Sequence, residues 1–233
     1  MKNKIISVIV NVVLCAVIAT VCAVGFVGGE AVQVTSNGEN LYYKSDNPRG
    51  VSLMFNVYQN TENVYAIMDL LDGAGVKATF FLGGSWADDN IDCVRDIASR
   101  GHEVGSHGYF HKDHSKMNFE QNLAEIRPSV ELLNAMLGYD IALFAPPSGA
   151  FNDATVTAAT SLGLKSIMWS RDTIDWRDND ESLIIKRATN GLQNGEFILM
   201  HPMDVTVKSL PKILDYIREN GFSAVTVSYN LGE

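Results

Sequence analysis

The chain has 233 residues and a formal net charge of −9. This length suits one α/β domain whose core needs no disulfide bonds. The acidic balance and the lack of a lysine or arginine cluster argue against nucleic-acid binding, because an acidic surface repels phosphate backbones. Only Cys93 lies outside the apolar N-terminal segment, so the rest of the chain cannot form an internal disulfide.

The N-terminus has the pattern of a membrane anchor. Lys2 and Lys4 precede an uncharged apolar run at residues 5–27, which spans roughly 35 Å as a helix and can cross a hydrocarbon core of about 30 Å. Residues 1–28 are therefore predicted to anchor a single-pass protein of the cell membrane, with the lysines inside and the remaining domain outside the cytoplasm. A cleaved signal sequence, which would leave a secreted protein, is the alternative.

The remaining chain alternates short apolar runs with helical patterns. Residues 29–49 are polar and predict a linker or stalk, and residues 50–233 predict one domain. Strands are predicted at Val51–Phe55, Ala78–Leu82, Glu103–His107, Leu143–Ala145, Lys165–Trp169, Phe197–Met200 and Ala224–Val227. Helices of 10–15 residues between such strands are typical of parallel βαβ units. About seven of these strands predict a closed or nearly closed (β/α) barrel, whose chemistry lies after the C-terminal strand ends.

Histidines follow two of the predicted strands. His107 and His111 are four residues apart after one strand, so a helical turn would bring both imidazoles to one cation, and two solvated loop histidines are the alternative. His201 ends another strand and is either a histidine at the edge of the core or a general acid. His102 and His114 are predicted to be structural or surface residues.

Five segments match, in order, the motifs of one protein family. They are K-A-T-F-F-L-G-G at 77–84, R-G-H-E-V-G-S-H-G-Y-F-H at 100–111, A-P-P-S-G-A-F-N-D at 145–153, D-T-I-D-W at 172–176 and I-L-M-H-P at 198–202. The chain resembles the NodB-type polysaccharide deacetylases of carbohydrate esterase family 4 over nearly all of residues 50–230. This resemblance implies a distorted (β/α) barrel and a divalent metal, most often zinc, that polarises an N-acetyl group and its attacking water.

The resemblance also implies roles for individual residues. His107 and His111 would be metal ligands, and His201 would protonate the leaving amine with support from Asp175 and Leu199. The substrate groove would be formed by the following residues: Tyr109, Pro147, Ser148, Trp176 and Leu199.

The chain departs from the family pattern at three positions. The first motif of the family, T-F-D-D-G-P, aligns without gaps with residues 54–59. Its base aspartate becomes Asn56, its third metal ligand becomes Val57, and the arginine that holds the base becomes Ala145. These changes fit together, because an arginine without its carboxylate partner would be an unpaired, partly buried charge. A carboxamide cannot serve as a base.

A third metal ligand must then come from elsewhere, because two histidines alone make a weak zinc site. Glu62, in the loop after the first strand, is the first candidate, although it could instead begin the next helix near its positive dipole end. Asp113 and the side-chain oxygen of Asn56 are weaker candidates. Asp172 and Asp175 either cap a helix or orient His201, and one of them could replace the base.

Two functions follow from these observations. The first is a metal-dependent hydrolase that removes N-acetyl or O-acetyl groups from a cell-wall or extracellular polysaccharide, such as peptidoglycan or a related amino-sugar glycan. The second is an inactive descendant that binds glycan or a cell-wall partner in the same groove, because fold does not guarantee activity.

Overall fold

The computed structural model describes residues 40–232, whose strands form a single sheet with seven parallel pairings. The strands are β1 (Leu41–Tyr42), β2 (Ser52–Val57), β3 (Thr79–Leu82), β4 (Glu103–Ser106), β5 (Leu143–Phe144), β6 (Lys165–Ile167), β7 (Arg171–Asp172) and β8 (Phe197–Met200). Their order in the sheet is β1-β6-β5-β4-β3-β2-β8-β7. Because β1 and β7 are the two edges of this order, the sheet is a half-barrel of eight strands, whereas about seven strands in a closed or nearly closed barrel were predicted.

Helices and short 3₁₀ turns connect the strands. The helices are α1 (Thr61–Gly73), α2 (Gly84–Asp89), α3 (Ile91–Ser99), α4 (Phe119–Leu137), α5 (Asp153–Ser161), α6 (Glu181–Thr189), α7 (Asp204–Glu219) and α8 (Val227–Leu231). The 3₁₀ turns are His114–Lys116 and Pro147–Gly149. Helix α4 begins at a capping box between Asn118 and Gln121 and continues through Pro128.

Six predicted strands are present, and the seventh is wrong. Ala224 makes only an isolated bridge with Val51, and Thr226 then caps α8 by accepting a hydrogen bond from the backbone N–H of Tyr229. Strands β1 and β7 were not predicted, since two residues are too few to show the alternation on which the prediction depends.

The predicted anchor, residues 1–28, lies outside the described residues, as do residues 29–39 of the predicted stalk. Across residues 40–232, no helix has both the length and the apolar composition that a membrane crossing requires. The rest of the predicted stalk belongs to the domain, because Leu41–Tyr42 pair with β6. Ser45 is buried as well, and its hydroxyl donates a hydrogen bond to the backbone carbonyl of Asn230.

Strand β2 shows how the two faces of the sheet are used. Leu53, Phe55 and Val57 pack into the large core between the sheet and the helices. Met54 packs instead into a smaller core on the inner face of the half-barrel. Because side chains alternate along a strand, Asn56 shares the inner face with Met54. The inner face therefore has an apolar floor with one polar side chain near the C-terminal end of β2.

Replacing Gly50 by alanine is expected to destabilise the protein by about 1–3 kcal/mol. A Cβ atom at this position would overlap the backbone carbonyl oxygen of Ser223, which cannot move without disturbing the pairing of Val51 with that segment. Urea unfolding measures the effect. The matched control is Gly73→Ala, which meets no atom within 4 Å and should be neutral or slightly stabilising. Equal stabilities for the two variants would contradict this packing.

Stability at acidic pH is expected to depend on His102. Burial and, to a smaller extent, the nearby positive charge of Lys77 lower the pKa of this imidazole to about 4. Its Nδ1 accepts a hydrogen bond from the backbone N–H of Ala78, which protonation would remove. The unfolded state binds a proton below about pH 6.5, whereas the folded state does so only near pH 4. The contribution of the neutral ring to the free energy of unfolding is therefore fully present above about pH 6.5 and decreases as the pH drops below it.

The expected loss from His102 is at most about 1.4 kcal/mol per pH unit between these two pKa values. Urea unfolding of the wild type and of His102→Gln between pH 7 and pH 4 measures it, and the variant should show a shallower decline. If the free energy of unfolding declined equally with pH in both proteins, the His102 imidazole would not be the cause of the acid sensitivity.

Candidate active site

A cavity of about 560 Å³ opens at the C-terminal ends of β2, β4, β7 and β8. The three histidines of the predicted site, His107, His111 and His201, line it together with Asn56. Each lies at or just after a strand end, because parallel strands direct their C-terminal ends to the same edge of the sheet. The half-barrel thus brings together residues that are up to 145 positions apart in the chain.

His107 is held as a neutral imidazole. Its ring is buried, and its Nδ1 lies 2.8 Å from the backbone carbonyl oxygen of Ala145. Since a carbonyl only accepts hydrogen bonds, Nδ1 carries the proton and Nε2 keeps its lone pair. Burial and, to a smaller extent, the neighbouring His111 lower the pKa of His107 to about 3. A carbonyl that fixes the tautomer in this way is the usual partner of a metal-binding histidine.

His111 lies beside His107 in a strained backbone conformation. The two ring centroids are 5.1 Å apart with an angle of 68° between the ring planes. The φ angle of His111 is 54°, in the left-handed region that few side chains adopt. Burial lowers its pKa, and a hydrogen bond with its own backbone opposes this to a smaller extent. The predicted helical turn is therefore replaced by a loop, which still brings the rings together.

The three positions at which the chain departs from the family lie in different environments. Asn56 is buried and lines the cavity, and its Oδ1 has no hydrogen-bond partner within the described residues. Val57 is fully buried in the helix-facing core, and Ala145 is fully buried in the inner core. Of the two residues that align with the aspartates of the family motif, Asn56 and Val57, only Asn56 lines the cavity.

Glu62, the predicted third metal ligand, is not brought to the histidines. It lies exposed in the first turn of α1, after the N-cap residue Asn60, and does not line the cavity. Asp113 instead accepts hydrogen bonds from Ser115 at the start of a 3₁₀ turn. No group of three His, Cys, Asp or Glu side chains in residues 40–232 is arranged to hold a metal.

The donors that remain are two imidazoles and an amide oxygen. His107 offers Nε2, His111 lies beside it, and the unpartnered Oδ1 of Asn56 lines the same cavity. A buried amide oxygen without a donor is costly, and coordination of a cation would satisfy it. The set fits a divalent cation such as zinc, with a weaker oxygen donor than a carboxylate.

His201, which is partly exposed, forms a hydrogen-bonded pair with the buried Asp175. Asp175 Oδ1 lies 2.8 Å from His201 Nδ1, and Oδ2 accepts the backbone N–H of His201 at 2.7 Å. Thr206 also donates its hydroxyl to Oδ2. Because an ionised carboxylate only accepts, Nδ1 of His201 donates, and Nε2 is the ring nitrogen that Asp175 leaves free. This arrangement orients an imidazole for proton transfer.

The predicted groove residues divide into two groups. Ser148, Trp176 and Leu199 line the cavity, and the Trp176 side chain is 56% exposed. Tyr109 and Pro147 do not line it: the Tyr109 ring packs against Gly84, and Pro147 is buried beside Gly108. Their part in substrate binding stays a prediction.

Several lining residues were missing from the predicted site, Tyr58 and Trp169 among them, and Asp172 was named only as an alternative to Asp175. Tyr58 packs against His111 with ring centroids 5.0 Å apart, and Trp169 follows β6. Asp172 lines the cavity with one carboxylate oxygen held by the backbone N–H of Ile174, whereas Asp175 is the carboxylate that contacts His201. An aromatic residue directly after a strand was the available signal for Tyr58 and Trp169.

Comparison with known proteins assigns the chain to a family. The family model for polysaccharide deacetylase matches residues 43–167, which is more than half of the chain. The chain belongs to the polysaccharide deacetylase family. Its fold is accordingly that of carbohydrate esterase family 4, which its motifs resemble.

Three relatives within this family are informative. The Bacillus subtilis (strain 168) protein YlxY is 33% identical over 195 residues, covering 84% of this chain and 61% of YlxY. A Bacillus cereus peptidoglycan-N-acetylglucosamine deacetylase is 31% identical over 186 residues, covering 78% of this chain and 68% of that protein. The chain thus spans less than two thirds of the length of YlxY.

The third relative is a solved structure. BA3943 from Bacillus anthracis is described as a CE4 family pseudoenzyme, and its structure superposes with a TM-score of 0.80 at 29% identity, covering 83% of this chain and 69% of that one. A mutant of BA3943 is described as having restored enzymatic activity. The family therefore includes deacetylases as well as members that have lost activity.

Proposed function

We propose that the chain is a metal-dependent deacetylase that removes N-acetyl groups from an amino-sugar glycan of the cell wall, peptidoglycan or a related polymer. The observation that carries this proposal is the His201–Asp175 pair in the same cavity as His107 and His111. An imidazole that can give a proton and two imidazoles that can hold a cation are two of the parts that metal-assisted amide hydrolysis uses.

Each part has a defined task in this proposal. His107 and His111, with Oδ1 of Asn56, would hold the cation, which supplies polarisation of the acetyl carbonyl and activation of water. His201 would donate its Nε2 proton to the leaving amine nitrogen from the imidazolium form, in which Nδ1–H stays bound to Asp175. The exposed face of Trp176 provides an apolar wall for a sugar ring.

The proton of the attacking water needs an acceptor, and Asn56 cannot be that acceptor. Asp172 is the one carboxylate among the described residues that line the cavity. One of its oxygens is already held by the backbone N–H of Ile174. Slow turnover is therefore expected of the wild type, because a well-placed base is typically responsible for about 10²–10⁴-fold of the rate.

A second function is favoured by a specific observation. The aligned base and third ligand are replaced by Asn56 and Val57, and Val57 points into the helix-facing core. The structural relative BA3943 is itself a pseudoenzyme. The same cavity would then bind glycan without hydrolysing it.

Acetate release and metal content separate the two functions. The purified full chain is expected to bind one equivalent of zinc and to release acetate from N-acetylglucosamine oligomers, and a chelator should stop the release. His107→Ala should lose the zinc, because it removes one of two imidazole donors. If His107→Ala does not fold because position 107 is buried, His111→Ala at a half-buried position tests the same loss of zinc. Binding of oligomers without zinc or acetate would favour the second function.

We also propose that the domain lies outside the cytoplasm on an uncleaved anchor. The apolar run at residues 5–27 after Lys2 and Lys4 supports this proposal. Alkaline extraction of membranes from cells that express the full chain should leave the protein in the pellet. Release of a shortened chain into the medium would indicate a cleaved signal sequence instead.

A further inference from the structure

The two imidazoles depend on one loop, residues 107–113, which follows β4 and is called the histidine loop below. Its backbone is not regular: Gly108 has φ +71° and His111 has φ +54°. A non-glycine residue in the left-handed region persists only where its surroundings fix it. The position of His111 therefore depends on contacts that hold the loop from behind.

Those contacts come from the buried face of α4. Glu125 is 3% exposed, and its Oε1 accepts the backbone N–H of Phe110 at 2.5 Å. The backbone carbonyl of Glu125 accepts the N–H of Tyr109 at 3.1 Å. Two consecutive N–H groups of the loop, directly before His111, are thus bound by a single residue of the helix.

Neighbouring side chains on the same face of α4 hold the two ends of the loop. Ser129 is one helical turn from Glu125, and its hydroxyl lies 2.9 Å from that of Ser106, which accepts the N–H of Gly108. Asn122, on the other side of Glu125, lies with its Oδ1 2.6 Å from Nδ1 of His114. Glu125 is the member of this group that reaches the middle of the loop.

A buried carboxylate is costly unless hydrogen bonds compensate for its lost hydration. The cationic partner of Glu125 is Lys112, whose Nζ is 3.7 Å away on a side chain that is 53% exposed. Such a pair contributes little by itself. The backbone N–H of Phe110 is thus its closest hydrogen-bond partner.

We propose that Glu125 is a positioning residue, whose carboxylate fixes the backbone N–H of Phe110 and thereby holds His111 beside His107. The link to a bound cation rests on the proposed function, whereas the link to loop geometry does not. Glu125 touches neither the cavity nor a reacting atom, so it acts only through the histidine loop.

Hydrogen exchange of the Phe110 amide tests the geometry directly in the full chain. Glu125→Ala is expected to accelerate this exchange by about tenfold or more, because a hydrogen bond to a charged acceptor is lost. Glu125→Gln keeps an acceptor oxygen in place and should stay within about threefold of the wild type. Zinc affinity, measured by titration, should fall in the same order, with the alanine variant weakest.

Two controls separate positioning from general destabilisation. Glu131→Gln changes an exposed glutamate of the same helix and should change neither readout. Leu133→Ala opens a cavity in the core next to α4 and should lower the unfolding temperature without changing zinc affinity at 25 °C. The proposal is overturned if Glu125→Ala exchanges like the wild type, if glutamine fails to rescue, or if Leu133→Ala reproduces both effects.

The proposed function can fail separately. If the wild type binds no zinc, that function is lost, while the exchange rates of the alanine and glutamine variants still decide whether Glu125 holds the loop.

Discussion

Replacing His201 by alanine is expected to lower the rate constant of acetate release by about 10²–10⁴-fold, with little change in glycan binding. Asp175 orients the ring through Nδ1–H, so that the imidazolium form of His201 can transfer its Nε2 proton to the departing nitrogen. Without that proton the amine leaves as a poor anion, so the effect should appear in kcat and not in KM. Steady-state kinetics on N-acetylglucosamine oligomers measures it.

Asp175→Asn provides the companion variant. It preserves the size of the side chain but replaces an acceptor oxygen of the buried carboxylate that contacts His201 and Thr206. A smaller loss of kcat is expected than for His201→Ala. Asp178→Asn, three residues further along, alters a salt bridge with Arg187 and should leave turnover unchanged. If His201→Ala retained full turnover, another group would have to be the acid.

Replacing Asn56 by aspartate is expected to raise turnover by about 10²–10⁴-fold. The substitution preserves side-chain size at a residue that lines the cavity and whose Oδ1 has no partner in the described structure. A carboxylate there can accept the proton of the attacking water and is a stronger zinc ligand than an amide. Acetate release by the purified variant measures the gain in turnover, and zinc titration measures the gain in metal affinity.

The structure also indicates which further substitutions to avoid. Val57→Asp would place a carboxylate in the helix-facing core, and Ala145→Arg would force a guanidinium into the inner core. Asn56→Ala is the matched control and should show no gain. A folded Asn56→Asp variant with no more acetate release than the wild type would contradict a latent active site in this cavity.

The parallel architecture could be predicted because its elements are long and strongly patterned. The apolar runs at Phe197–Met200 and Ala78–Leu82 predict buried strands, and helices such as Phe119–Leu137 have clear capping residues. The edge strands Leu41–Tyr42 and Arg171–Asp172 owe their conformation to tertiary pairing, which two residues cannot encode. The sequence predicted about seven strands in a closed or nearly closed barrel, whereas the structure has eight strands in a half-barrel.

Site residues could be predicted where a motif lies at the end of a strand. They could not be predicted where the conformation of a loop determines the position of the side chain. The sequence located His107, His111 and His201. It did not decide the position of Glu62, because a carboxylate after a strand can either turn inward or begin a helix, and here α1 begins at Thr61. The role of Glu125 had no local signal, since its contact with Phe110 joins a helix to a loop 15 residues earlier.

X-ray absorption at the zinc edge tests the central claim most directly, because it reports the atoms around a bound cation. On the zinc-loaded full chain we expect two imidazole donors at about 2.0–2.1 Å together with oxygen donors. His111→Ala should reduce the imidazole count to one. A zinc spectrum without imidazole scattering, or zinc that remains bound with an unchanged spectrum in His111→Ala, would contradict the account.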